Sequence, residues 1–159
     1  MSRPREPSWH EGHQALRKGR ASIPGGIYLL TTTTLQRKPL FSDFPMGCTV
    51  ARCFDTRLAL GENQLLAWVL MSDHVHWLLQ LGVGESLHIS VGRLKAVSAR
   101  HFNEVHGRRG ALWAAGYHDH ALRNEAEVLS TARYIVANPI RAGLVRRVGD
   151  YPFWNAKWR

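Results

Sequence analysis

The chain has 159 residues, 45% of them hydrophobic, which suits one domain whose core needs no disulfide or structural metal. Its 21 Lys and Arg against 12 Asp and Glu leave a formal charge of +9, pointing to a polyanionic partner, nucleic acid before membrane, with a basic surface kept for solubility as the alternative. No apolar run approaches a membrane span, residues 1–20 lack the apolar core of a signal peptide, and Cys48 and Cys53 match neither a redox pair nor a zinc knuckle, so a reduced, cytoplasmic protein is expected.

In chain order, residues 1–24 form a basic arm with Pro4 and Pro7, expected to have little order before a partner binds; His10 and His13 within it read as solvated. Gly25-Gly26 precedes Ile27 to Thr34, a β-branched and aromatic run that predicts the first strand. From Pro45 to Leu60 the apolar positions Val50, Phe54 and Leu58 recur every fourth residue, predicting one helix closed by Gly61. Leu65 to Leu70 and His74 to Leu81 are two further strands, and Ser72-Asp73 between them is a turn signal, so they should pair as an antiparallel hairpin.

After Gly82 and Gly84, a helix is predicted from Ser86, with Leu87, Val91, Leu94, Ser98, His101 or Phe102, and Val105 on its buried face. Arg93, Lys95 and Arg100 fall outside that stripe, where a solvated helix face and phosphate contact are both open. Gly107-Arg108-Arg109-Gly110 is a basic loop, and Trp113 is expected to pin the chain to the core beyond it. Tyr117 to Leu122 alternates as a last strand, and Asn124 with Glu127 resembles a capping box opening a final helix, whose stripe is Leu129, Ala132, Ile135 and Val136. Pro139 should end or kink that helix at Asn138, and residues 149–159 form a tail anchored by Trp154 and Trp158. The order is β-α-β-β-α-β-α, an α+β, ferredoxin-like arrangement with a four-stranded antiparallel sheet in the order 4-1-3-2 and an extra C-terminal helix.

Two stretches carry chemistry. In Asp73-His74-Val75-His76-Trp77 the histidines lie at i and i+2 of a strand and so share one face, a geometry that suits a metal. Taken alone, that spacing is more often a packed or hydrogen-bonded core pair. In Arg133-Tyr134-Ile135-Val136-Ala137-Asn138 a phenol and an amide lie at helical i and i+4 and again share a face. A metal held by His74, His76 and the Asn138 carbonyl oxygen could polarise a phosphodiester for attack by Tyr134, and a half-buried helix tyrosine is the alternative. A second pair, His118 and His120, invites a four-histidine metal hydrolase. In the expected strand order, however, the first strand separates the pairs by roughly 9.5 Å, too far for one ion held at about 2.0–2.1 Å from each imidazole, so His118 and His120 are read as DNA-contacting or structural residues.

The segments SIPGGIYLLTTTTLQRKPLF, MSDHVHWLLQL, LWAAGYHDHALR and ARYIVANPIRAGLV resemble the single-tyrosine HUH transposases, specifically the REP-associated tyrosine transposase branch, from Ile23 to Val148. The resemblance implies a catalytic domain over residues 25–148 that cleaves single-stranded or hairpin DNA through a 5′-phosphotyrosine on Tyr134. It also implies a divalent ion, Mg2+ or Mn2+, on His74, His76 and Asn138, where the insertion-sequence relatives usually carry a longer glutamine in place of the asparagine. Arg93, Lys95, Arg100, Arg108, Arg109, Arg133 and Arg141 are the expected DNA-backbone contacts. Trp77 and Trp113 are better explained by core packing than by stacking on bases. A nucleoid-associated monomer is expected, a dimer exchanging the tyrosine helix being the alternative. A hairpin-binding module that no longer cuts is the competing function.

Overall fold

The computed structural model describes residues 23–158, so the N-terminal arm and its histidines lie almost wholly outside the described residues. Strand β1 is Ile27–Thr33, followed by helices α1 (Phe44–Phe54) and α2 (Arg57–Leu60) and the hairpin β2 (Gln64–Leu70) and β3 (His74–Gln80). Helix α3 (Leu87–His106), strand β4 (His118–Leu122), helices α4 (Glu125–Val136) and α5 (Asn138–Arg141), and strand β5 (Trp154–Ala156) complete the chain. One antiparallel sheet runs β4-β1-β3-β2-β5.

The expected four strands are corrected to five. Residues 149–158, set apart from the sequence as a tail, put β5 on the β2 edge and bury Phe153 in the core, while the Tyr151 hydroxyl donates to the Leu70 carbonyl. Burial pushes the Tyr151 phenol up to about 12, so it stays protonated at neutral pH. Trp158 is 43% exposed, so it is not a buried anchor.

Alternation along the strands sends side chains to two separate cores. Tyr28, Leu30, Val75, Trp77 and Leu79 face α1 and α3, where Val50, Phe54, Val91, Leu94 and Phe102 meet them. Leu29, Val69 and Leu78 face α4, packing with Val128, Ala132 and Ile135. Trp77 is fully buried, and Trp113 donates its indole N–H to Ser98 Oγ at 2.9 Å, so both are core residues.

The single helix expected over residues 45–60 is broken. α1 stops at Phe54, and Thr56 caps a new helix by accepting from the Ala59 amide, which turns Leu58 outward to 74% exposure. α4 starts as the capping residues predict: Asn124 Oδ1 accepts from the Glu127 amide, although the Glu127 carboxylate returns to the Arg123 amide rather than to Asn124. Of its expected stripe Ala132 and Ile135 are buried, while Val128 and Thr131 take the places expected for Leu129 and Val136. In α3, Val105 is likewise 55% exposed, leaving the buried stripe to end at Phe102.

Candidate active site

β3 aligns with β1 so that His76 lies across from Thr31 and His74 from Thr33, all on the sheet face that α4 covers. α4 ends at Val136, and Pro139 falls in the first turn of α5, so the chain bends at Ala137 without leaving helical geometry. Tyr134 and Asn138 therefore stay one turn apart across the bend. A cavity of about 330 Å³ forms where these elements meet, lined by Tyr134, Asn138, His74, His76, His118 and Arg37 among others. The two strand histidines and the tyrosine–amide pair, 58 residues apart between His76 and Tyr134 in the sequence, are brought together.

Each imidazole is held through Nδ1. His74 Nδ1 is 2.8 Å from Asp73 Oδ1, and His76 Nδ1 is 2.7 Å from Thr31 Oγ1. The rings meet edge to face with centroids 5.0 Å apart. Asp73 is held in turn by Arg37, whose Nε donates to Oδ2 at 3.1 Å. Burial alone would raise the Asp73 carboxyl, and the hydrogen bonds from His74 and Arg37 together with the Arg37 charge outweigh it, so its pKa falls and it stays ionised. A carboxylate on Nδ1 keeps the proton there and presents Nε2 as the nitrogen lone pair, the orientation found behind metal-ligating histidines. Two imidazoles and an amide oxygen fit a six-coordinate divalent ion, Mn2+ better than Mg2+ by ligand type.

Among the described residues no group of three or more His, Cys, Asp or Glu side chains is placed to hold a metal, so the four histidines are not gathered around one point. β1 does separate β3 from β4. His118 nonetheless reaches the cavity wall, and His120 hydrogen-bonds Glu127 at 3.3 Å. Of the four tyrosines, Tyr28 and Tyr117 are buried in the other core and Tyr151 holds β2, which leaves Tyr134 as the phenol at the site.

The expected DNA contacts divide. Arg141 stacks over the Tyr134 ring, its guanidinium carbon 3.6 Å from the centroid, and Arg133 is exposed beside it. Arg93, Lys95 and Arg100 lie on α3, which packs on the other sheet face. There Arg93 pairs with Glu85 at 2.6 Å, Lys95 donates to the Ala114 and Gly116 carbonyls at 2.7 Å each, and Arg100 pairs with Glu104 at 3.2 Å. Arg108 sits over the Phe102 ring and Arg109 is exposed in the following loop. Arg37 and Thr31 were not expected at the site, and His118 was expected only as a DNA-contacting or structural residue. For Thr31 the signal was present, since pairing the first strand with the histidine strand sets alternate threonines beside the imidazoles.

Residues 25–138, a span holding His74, His76, Tyr134 and Asn138, match the family model for "Transposase IS200 like". The chain belongs to the IS200-like transposase family. Within that family it is similar to the REP-associated tyrosine transposase of Escherichia coli strain K12, 29% identical over 90 residues that cover 57% of this chain and 52% of that protein. It is also similar to a Haemophilus influenzae protein assigned to the same group, 25% identical over 100 residues covering 57% of each. The chain spans little more than half the length of these relatives. A solved REP-associated tyrosine transposase bound to a REP hairpin shares the fold, with a TM-score of 0.64 and 24% identity over 85% of this chain and 79% of that one.

No helix among the described residues is long and apolar enough to cross a membrane.

Proposed function

We propose that this IS200-like transposase is a metal-dependent single-stranded DNA nuclease and strand transferase that cleaves hairpin-associated DNA through a covalent 5′-phosphotyrosine on Tyr134. The observation that carries this is the convergence of Tyr134, His74, His76 and Asn138 on one cavity. The β4-β1-β3-β2 succession between two helical layers is taken as the ferredoxin-like scaffold of such enzymes.

The Tyr134 oxygen forms a bond to phosphorus as the bond from phosphorus to the 3′ oxygen breaks, and the departing oxygen takes up a proton while the phenol gives one up. Arg141, stacked on the phenol, fixes the ring and favours negative charge growing on its oxygen. Asp73 and Thr31 hold the two imidazoles, and with Asn138 these would carry the Mg2+ or Mn2+ ion. Bound there, a divalent ion supplies Lewis-acid polarisation of the phosphodiester. Arg133 and Arg141, exposed on the last turns of the helical layer, give a salt-sensitive grip on the DNA backbone.

Incubation with labelled single-stranded hairpin DNA and Mn2+ should yield a covalent protein–DNA adduct that is lost in Tyr134→Phe. An adduct undiminished in that variant overturns the assignment of the nucleophile. Tight binding without any adduct in the parent protein would identify a hairpin-binding module.

A further inference from the structure

Arg37 belongs to neither of the motifs that pointed to the site, yet it is the one arginine among the described residues lining the cavity. The backbone takes an unusual path to put it there. Beyond the end of β1, Gln36 and Arg37 both adopt left-handed conformations, with φ of 59° and 52°. Residues other than glycine avoid that region, so two in succession mark a turn fixed by what its side chains touch. The partner here is Asp73, whose other carboxylate oxygen holds His74.

The Asp73 bond uses Nε, one of five N–H donors on a guanidinium, and the other four lie on Nη1 and Nη2. The side chain is 64% exposed, so those amino groups stand where a ligand can reach them. Orienting a carboxylate requires a single donor. A planar fork held at a cavity wall matches the paired non-bridging oxygens of a phosphodiester. Arg141 faces the phenol ring, and Arg93 is paired on the far side of the sheet.

We propose that Arg37 is a phosphate-binding residue of this site, its Nη1 and Nη2 groups holding the non-bridging oxygens of the phosphodiester presented to Tyr134. The proposal rests on the phosphotyrosine reading above and adds a contact contributed by the turn after β1.

The test measures affinity in a Tyr134→Phe background, so that no strand is cut. The probes are a hairpin oligonucleotide with a single-stranded flank and a series of the same oligonucleotide, each carrying one neutral methylphosphonate stepped along the flank. Arg37→Ala should weaken binding of the unmodified probe roughly tenfold to a hundredfold, the loss expected for charge-assisted hydrogen bonds. That penalty should vanish at one methylphosphonate position. Arg37→Lys, which keeps the charge and the turn, should show the same position-dependent loss to a smaller extent. A role confined to holding Asp73 and His74 lowers affinity equally for every probe, and that result overturns the proposal. An adduct with the parent protein but no position-dependent penalty removes Arg37 and leaves the phosphotyrosine standing. A position-dependent penalty with no adduct keeps Arg37 and removes the cleavage.

Discussion

The two histidines are held by partners of different strength, a carboxylate for His74 and a hydroxyl for His76. Thr31→Val removes the second at little change in shape, weakening the hold on the His76 ring. Loss of such a supporting partner typically costs tenfold to a hundredfold in metal affinity, so Mn2+ titration by calorimetry should show a drop on the order of tenfold, with the melting temperature almost unchanged. At this scale the sequence was readable where periodicity does the work. Strand alternation pairs His74 with His76, and the helical repeat pairs Tyr134 with Asn138. Arg37 was not readable, because its position depends on consecutive left-handed residues that neither Gln nor Arg favours.

Between elements, a polar knot ties the loop after α2, the end of β3 and the start of α3. Glu85 accepts from Arg93 and from the Glu62 amide, and Asn63 bridges the Ser90 hydroxyl and the Gly82 amide. The Arg93 hydrogen bonds hold the Glu85 carboxyl below the usual glutamate range against an opposing burial effect. A depressed carboxylate stabilises the fold fully above its unfolded value of about 4.3 and loses that contribution as pH falls through its lower folded value. Glu85→Gln should therefore lower the melting temperature at pH 7, by about 2–4 °C for each kcal/mol lost. The gap from the parent should close as melts are repeated at pH values descending below 4. The same knot explains why Gly61 closes α2: its φ is +58°, and a β-carbon there would lie 1.9 Å from an Arg93 amino nitrogen. Element boundaries were legible where caps announce them, as at Asn124. They were hidden where a four-residue apolar period ran across the break at Thr56, and where β5 is only three residues long.

Over the whole molecule, Tyr134 meets the histidines of its own chain, because α4 lies on the sheet that carries them. Mixing His76→Ala protein with Tyr134→Phe protein should then restore no DNA adduct; restored adduct would show that helices are exchanged between chains. The order of the first four strands was inferable from the β-α-β-β-α-β-α succession, since it leaves few ways to close an antiparallel sheet, whereas the place of β5 on the β2 edge was not. Which basic residues share the site was not, because the sequence places charge along the chain and only topology assigns it to a sheet face.

The register of β3 carries one more implication. A slip of a single residue against β1 would turn Val75 and Trp77 toward the cavity and drive both imidazoles into the aromatic core. A chain that closed its sheet in that register could have much of its secondary structure and no pair of nitrogens for an ion. On the proposed metal site, manganese stoichiometry after refolding would count the correctly threaded molecules, a fidelity check that circular dichroism cannot supply.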